Sequence, residues 1–349
     1  MRSIMKILMI GLGSIGQRHV RNIRKCYGDS VEIIAYRVRG LHHTFSDTMQ
    51  IREGVSFEEE YGVTAYYDLS EALAERPDVA FITNITSEHI PCAIKAAEAE
   101  CDIFLEKPIS TSMEGISKLQ SLIAEKKLVV GVGFQNRYHP CLKRLKELLS
   151  QNVIGNILSV DVEMGERLVT MHSYEDYRGT YMAQKRLGGG VIFNQQIHEL
   201  DYISWLFGTP VSVYSVNGKF SDLEIDVEDV CSSLYVVERE GRRIPVYAHA
   251  DFLQSPPVRR CKVIGNDGII MVDLMQKKLE VISHNGSIKS DVYPKFDRNN
   301  MYIEELVNFF KAIADRDDPA ISFESGLYSL KMALAAQLSS ENDKVILLD

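Results

Sequence analysis

The chain has 349 residues, enough for roughly two domains of ordinary size. Hydrophobic residues make up 45% and charged residues 25%, a globular balance that excludes a disordered chain. A net charge of −9 with pI near 5.6 removes any global electrostatic case for nucleic acid, and no stretch is long and apolar enough to span a bilayer.

The first ten residues are too briefly apolar for a signal peptide and read as a buried first strand. The six cysteines, Cys26, Cys92, Cys101, Cys141, Cys231 and Cys261, show no zinc or redox spacing. They read as reduced thiols of a cytoplasmic protein, and no metal site is expected.

Strands are predicted over 6–10, 31–36, 79–83, 103–105 and 128–132, with helices over 14–26, 69–76, 87–100 and 113–127. That alternation implies parallel βαβ units, and the nearly continuous apolar strands imply a sheet covered on both faces. After about residue 135 the rhythm changes. A helix over 142–149 precedes a strand over 156–164, then a polar, tyrosine-rich segment and a glycine triplet. A long helix follows over 191–207. Strands over 211–216, 230–237, 244–252, 260–264, 269–274 and 278–283 are joined by Gly or Asn turns, and helices return over 302–314 and 326–338. The expected architecture is an α/β dinucleotide domain over 1–134 with a parallel sheet, then an α+β domain over 135–349 with a large, open, mostly antiparallel sheet.

Gly11-Leu12-Gly13-Ser14-Ile15-Gly16 is a G-x-G-x-x-G directly after the first strand and at the mouth of a helix. The glycines permit a tight turn and let backbone approach a pyrophosphate resting on the helix N-terminus. The next strand should end at the residue that reads the adenosine ribose. Tyr36-Arg37-Val38-Arg39 stands there with no carboxylate nearby. Solvated surface arginines would look the same. The missing carboxylate and the added cations favour NADP over NAD.

Glu106-Lys107-Pro108 follows the strand over 103–105, at the sheet end where ligands bind. Lys107 can donate to a substrate oxygen or relay a proton; Glu106 could instead be one half of an ordinary loop salt bridge. Gly188-Gly189-Gly190 precedes the helix that places Asn194, His198 and Asp201 on one stripe, with Phe193, Ile197, Leu200 and Phe207 on a face turned to the core. A solvated polar stripe would look similar, but the glycine triplet allows close approach at the helix start, and His198 suits a general base near neutral pH.

Taken in order, these motifs resemble the Gfo/Idh/MocA family (glucose–fructose oxidoreductase, inositol dehydrogenase, rhizopine catabolism). The shared pieces are the glycine turn with His19, then Thr86-Ser87-Glu88-His89, Glu106-Lys107-Pro108, the run from Gly133 to Pro140, and the glycine triplet with His198 eight residues beyond it. The resemblance implies a Rossmann domain followed by a domain with a large open sheet. It implies NAD(P)-linked oxidation or reduction of a sugar, cyclitol or nucleotide-sugar carbon. It makes Lys107 and His198 the catalytic lysine and histidine, with Asn194 where the family usually carries Asp. It also implies that Gly11, Gly13, Ser14, Ile15, Gly16, Arg37, Asn84, Thr86, His89, Glu106 and Lys107 line the dinucleotide. The stretches Trp205-Leu206-Phe207-Gly208 and Tyr174 to Arg178 look like members found with bacterial surface-glycan biosynthesis.

Between the first strand of the second domain and Gly188 lie Arg167, His172, Tyr174, Tyr177, Arg178, Tyr181, Lys185 and Arg186. Tyrosines stack on flat groups and arginines grip phosphates, so Arg137, Tyr174, Tyr177 and Arg178 are expected to bind substrate, with the segment covering an anionic sugar. A solvated loop is the alternative. The partners expected are a small-molecule sugar and further copies of the chain, as a homodimer or homotetramer, because an open sheet face is often buried that way. Two other functions fit the same fold: a redox-assisted lyase or glycosidase that retains its cofactor, and a non-enzymatic dinucleotide-binding regulator.

Overall fold

A computed structural model describes residues 4–37, 43–46, 50–171 and 174–348. The chain forms two compact units, Met1–Gly133 with Tyr302–Gly326, and Phe134–Met301 with Leu327–Asp349.

The first unit is built on a six-stranded, wholly parallel sheet, in the order Val63–Tyr66, Val31–Tyr36, Met5–Ile10, Val79–Ile82, Asp102–Glu106, Val130–Gly133. Parallel strands need crossovers, which the helices Ser14–Tyr27, His89–Glu98 and Ile116–Lys126 supply. Ile7, Leu8, Met9 and Ile10 are all fully buried, as expected for a strand covered on both faces. The edge strand Val63–Tyr66 is not among the predicted strands, because four residues with mixed burial carry little periodicity.

The division of the chain differs from the sequence expectation in one place. Residues 302–326 pack with the first unit rather than the second. The reason lies in the aromatic face of the helix Asn299–Asp315. Phe309 and Phe310 join the buried core of the parallel sheet, where Phe81 stacks on Phe104 at 4.9 Å and Phe309 meets Phe104 edge-on at 5.4 Å. Gly131 makes room: a Cβ there would strike the Phe309 ring.

The second unit carries a nine-stranded sheet, in the order Ile288–Val292, Lys278–Ser283, Gly268–Asp273, Val258–Gly265, Ile157–Gly165, Arg242–Asp251, Val230–Arg239, Pro210–Gly218, Ile346–Leu347. Its pairs are antiparallel except Arg242–Asp251 with Ile157–Gly165, which run parallel. Burial alternates along the strands. Ile244, Val246, Ala248 and Ala250 turn inward while Pro245 and Tyr247 turn outward, so one face is covered and one is open. The helix Phe323–Asn342 lies on the covered face, where the Tyr235 hydroxyl donates to the Met332 carbonyl and Ser339 Oγ accepts from the Ser215 amide.

Cys92, Cys101, Cys141, Cys231 and Cys261 are buried free thiols, and Cys26 is exposed. Burial pushes the thiols of Cys101 and Cys141 up to about 12. Among the described residues no helix is long and apolar enough to cross a membrane.

Candidate functional site

The glycine turn sits where the strand order of the parallel sheet reverses, between Met5–Ile10 and Val79–Ile82. This switch point is the place where open α/β sheets bind ligands. Each glycine answers a different demand. Gly11 has φ +107°, and a Cβ on it would strike the backbone of Asn84. A Cβ on Gly16 would collide with the Gly11 carbonyl, so the helix packs directly against the turn. Gly13, by contrast, faces open space. It is the N-cap of the helix Ser14–Tyr27, and no side chain caps its amides and no acidic residue occupies the first turn. A backbone cradle with uncapped amides and an open front suits a pyrophosphate. Ser14 and Ile15 open that helix.

The surrounding loops are fastened to the turn. Thr83 Oγ1 donates to the Gly11 carbonyl at 2.7 Å. The His89 ring is buried, with Nδ1 2.8 Å from the Pro108 carbonyl and Nε2 3.2 Å from that of Asn84. Burial pushes its pKa below the ordinary value, while the two carbonyls pull it back up. His89 therefore ties the Asn84 loop to the loop that carries Lys107. Thr86 is buried in the short turn between them.

Glu106 is no loop salt bridge at the surface. Its carboxylate lies inside the unit, with Oε1 2.8 Å from His19 Nε2, and Oε2 accepts from the Lys107 amide at 3.3 Å. The His19 ring is enclosed by Phe81, Phe104 and Tyr302. Glu106 thus anchors the backbone at Lys107, whose side chain is half-buried.

Arg37 follows the strand Val31–Tyr36, and its guanidinium is buried in an ion pair with Glu58. No carboxylate stands near this strand end in the sequence, because Glu58 lies 21 residues further on. Arg39, the second arginine after this strand, lies outside the described residues, as does His172 of the polar segment.

In the second unit, the predicted helix over 191–207 begins as a π-helical turn, Ile192–Gln196, and continues as an α-helix, Ile197–Phe207. Asn194, His198 and Asp201 are all buried, so the polar stripe is not a solvated surface. Asn194 donates through Nδ2 to the Gly190 carbonyl at 2.9 Å. The Phe134 ring meets the His198 ring edge-on at 6.0 Å. Two buried ion pairs hold the helix: Arg137 with Asp201, and Arg259 with Glu199, the latter at 2.8 Å. Burial pushes the Asp201 carboxyl up while Arg137 pulls it back. Arg137, expected on the substrate, is thus engaged in fixing the His198 helix.

Gly190, at φ +106°, lies against Glu228, whose carboxylate accepts from the Ile192 amide at 3.1 Å. Burial pushes the Glu228 carboxyl up to about 7. Nothing in the sequence pointed to Glu228, because its partners are backbone groups 36 residues away.

The tyrosine-rich segment folds into short 3₁₀ turns at Tyr177–Gly179, Tyr181–Ala183 and Lys185–Leu187. Arg178 is half exposed and gripped by two carboxylates, Asp176 at 2.6 Å and Glu224 at 2.8 Å. The Tyr177 hydroxyl accepts from the Glu224 amide at 3.3 Å. Tyr174 is half-buried. A cleft of about 370 Å³ runs beside Arg167, Tyr177, Ser221 and Phe252.

Comparison with known proteins places this architecture. The Gfo/Idh/MocA model described as "Oxidoreductase family, NAD-binding Rossmann fold" matches residues 5–134. The companion model for the family's C-terminal alpha/beta domain matches residues 146–348. The chain is 25% identical to myo-inositol 2-dehydrogenase of Thermotoga maritima, over 99% of each chain. It is 23% identical to scyllo-inositol 2-dehydrogenase (NAD(+)) of Bacillus subtilis, over 98% of this chain and 95% of that one. Its fold is shared with a levoglucosan dehydrogenase solved with NADH and levoglucosan, at TM-score 0.82 and 18% identity, covering 98% and 99% of the two chains. The chain belongs to the Gfo/Idh/MocA family and is an oxidoreductase with an NAD-binding Rossmann unit.

Proposed function

We propose that the chain moves a hydride between a nicotinamide dinucleotide and a CH–OH carbon of a polyhydroxylated ring, a cyclitol or sugar. The observation that carries the reading is the glycine turn at the sheet's switch point, where Gly11 and Gly16 are packed shut and Gly13 alone faces open space. The names of the relatives, two inositol dehydrogenases and a levoglucosan dehydrogenase, support the ring substrate. When bound, the dinucleotide accepts or returns the hydride.

The chain's own residues orient the reactants and handle the proton. Gly13, Ser14, Ile15 and Gly16 hold the pyrophosphate by backbone amides, Gly11 makes the tight turn that brings them there, and Asn84, Thr86, His89 and Glu106 shape the loops around it. Lys107 donates to the substrate oxygen, and His198 takes the hydroxyl proton on oxidation and returns it on reduction. Asn194 cannot take up a proton as a carboxylate does. Its amide holds the Gly190 carbonyl and so positions the turn before His198.

The substrate reading narrows to neutral rings. Arg178 already has two carboxylate partners, so an anionic sugar there would meet the charges of Asp176 and Glu224 as well as the cation. Tyr174 and Tyr177 then serve as flat apolar surfaces for the ring rather than as companions to a phosphate grip. The open face of the nine-stranded sheet is proposed to bury itself against a second copy of the chain.

The test is the appearance of reduced nicotinamide at 340 nm when purified protein is offered a panel of inositols, free sugars and sugar nucleotides. Turnover with a neutral ring is expected. Turnover of sugar nucleotides alone would overturn the neutral-ring reading, and no turnover of any ring alcohol would overturn the activity.

A further inference from the structure

We propose that Glu58 decides which dinucleotide this chain takes, by holding Arg37 in an ion pair that a 2′-phosphate would have to break. The inference rests on the dinucleotide reading of the glycine turn and adds a specificity-determining residue to it.

The position of Arg37 follows from the backbone. Tyr36 ends its strand in register with Ile10, and the Gly11 amide donates to the Tyr36 carbonyl at 3.1 Å. The Arg37 amide donates to the Tyr66 carbonyl at 2.9 Å. Arg37 thus stands one residue past the strand end, beside the turn. In a Rossmann unit this strand end reads the adenosine ribose: a carboxylate there suits the 2′-hydroxyl of NAD, and an arginine suits the 2′-phosphate of NADP.

Arg37 is not a lone cation. Its Nη1 pairs with Glu58 Oε1, and the two side chains are 6% and 17% exposed. Glu58 is held from several sides. It lies in the helix Phe57–Tyr61, capped by Ser56, whose hydroxyl accepts from the Glu59 amide. Phe57 is buried and stacks on Tyr61 at 4.6 Å. Arg24 then fastens the helix end by donating to the Tyr61 carbonyl at 2.9 Å and the Gly62 carbonyl at 3.1 Å. The packed helix therefore fixes the point from which the Glu58 side chain reaches Arg37.

A phosphate at this strand end would compete with Glu58 for one guanidinium. Winning it would take the cation from a mostly buried carboxylate and set a second anion beside it. The 2′-hydroxyl of NAD makes no such demand. The carboxylate that the strand end lacks in sequence is therefore supplied from another element, and the pair reads as an NAD site.

The experiment is calorimetric titration of the full chain with NAD+ and with NADP+, for the unmodified protein and for Glu58→Gln. The unmodified chain should bind NAD+ at least as tightly as NADP+. Glu58→Gln should move the ratio of affinities toward NADP+ by about tenfold or more, the low end of the coupling measured between close charges. An unmodified chain that binds NADP+ tenfold more tightly than NAD+ overturns the proposal, and that measurement needs no variant. So does a folded Glu58→Gln protein, with a normal melting profile, whose ratio is unchanged. Failure to bind either dinucleotide would overturn the reading of the glycine turn itself, and the proposal with it.

Discussion

Arg137 and Asp201 meet through a two-pronged contact, Nε to Oδ2 at 2.8 Å and Nη2 to Oδ1 at 2.6 Å, inside the second unit. Asp201 lies three residues past His198 on the same helix, and Arg137 lies three residues past Phe134, whose ring touches that of His198. The Arg137 guanidinium also lies 5.6 Å from the centre of the Trp205 ring. One ion pair therefore fixes both the helix that bears the histidine and the aromatic wall beside it.

Removing one partner of this pair should be costly. Asp201→Asn leaves the Arg137 charge buried without its counter-ion, and about 3–5 kcal/mol of stability should be lost. Chemical denaturation would show it as a lower midpoint with an unchanged slope. A loss below about 1 kcal/mol would mean that Arg137 finds water or another anion, and that the pair does not hold the helix.

His198→Ala and Lys107→Ala should each lower turnover by about 10²–10⁴-fold. Dinucleotide binding, followed by quenching of protein fluorescence, should change little for His198→Ala. Near-normal turnover by either variant with the true substrate would remove that residue from the proton-handling pair.

Glu228 should make stability depend on pH. Its carboxyl has an ordinary value of 4.5 and is raised to about 7 in the folded chain, chiefly by burial. The folded state therefore binds a proton that the unfolded state has already released. The contribution is fully present below about 4.5 and is lost as pH rises through about 7. Glu228→Gln can still accept from the Ile192 amide and carries no charge. It should be more stable than the unmodified chain at pH 8, by on the order of 1–3 kcal/mol, and similar to it at pH 4.5. Melting temperatures across that range would show the two curves diverging upward in pH. Parallel curves would mean that Glu228 ionises freely.

The open sheet face carries a row of apolar side chains in register. Tyr214 pairs across to Leu234, and Leu234 to Tyr247, all three more than a third exposed. Such a row on a solvated sheet suits burial against a second copy. Light scattering should report a dimer or tetramer for the unmodified chain, and Leu234→Asp should shift it toward the monomer. A monomer at all concentrations would leave that face without the partner proposed.

Much of the architecture was legible because its signals are local. The strand Met5–Ile10, the turn at Gly11 and the helix Ser14–Tyr27 follow one another within 27 residues, so apolar run, glycine spacing and amphipathic periodicity agree. His198 and Lys107 stand out in the sequence by residue type alone, and their roles are proposals. Their partners were not. Glu58 beside Arg37, His19 beside Glu106, Asp201 beside Arg137 and Glu224 beside Arg178 are separated by 21, 87, 64 and 46 residues. A sequence read in windows sees each charge alone, and a lone arginine looks available to a ligand when it is already paired. The π-helical turn at Ile192–Gln196 was hidden for a different reason: a one-turn change of helical pitch leaves the apolar pattern almost unaltered.

Phe309 over Gly131 has a consequence for anyone who would divide the molecule. The chain passes from one unit to the other at residues 133–134, returns at 301–302 and leaves again at 326–327. A fragment ending near residue 134 would carry all six parallel strands and the whole glycine turn, yet it would lack Leu306, Phe309 and Phe310 from its core. Its sheet would present a greasy gap beside Phe81 and Phe104, the kind of surface that makes proteins clump. The nucleotide-binding half is thus not a detachable cassette; it becomes complete only after more than two-thirds of the other half has already been synthesised.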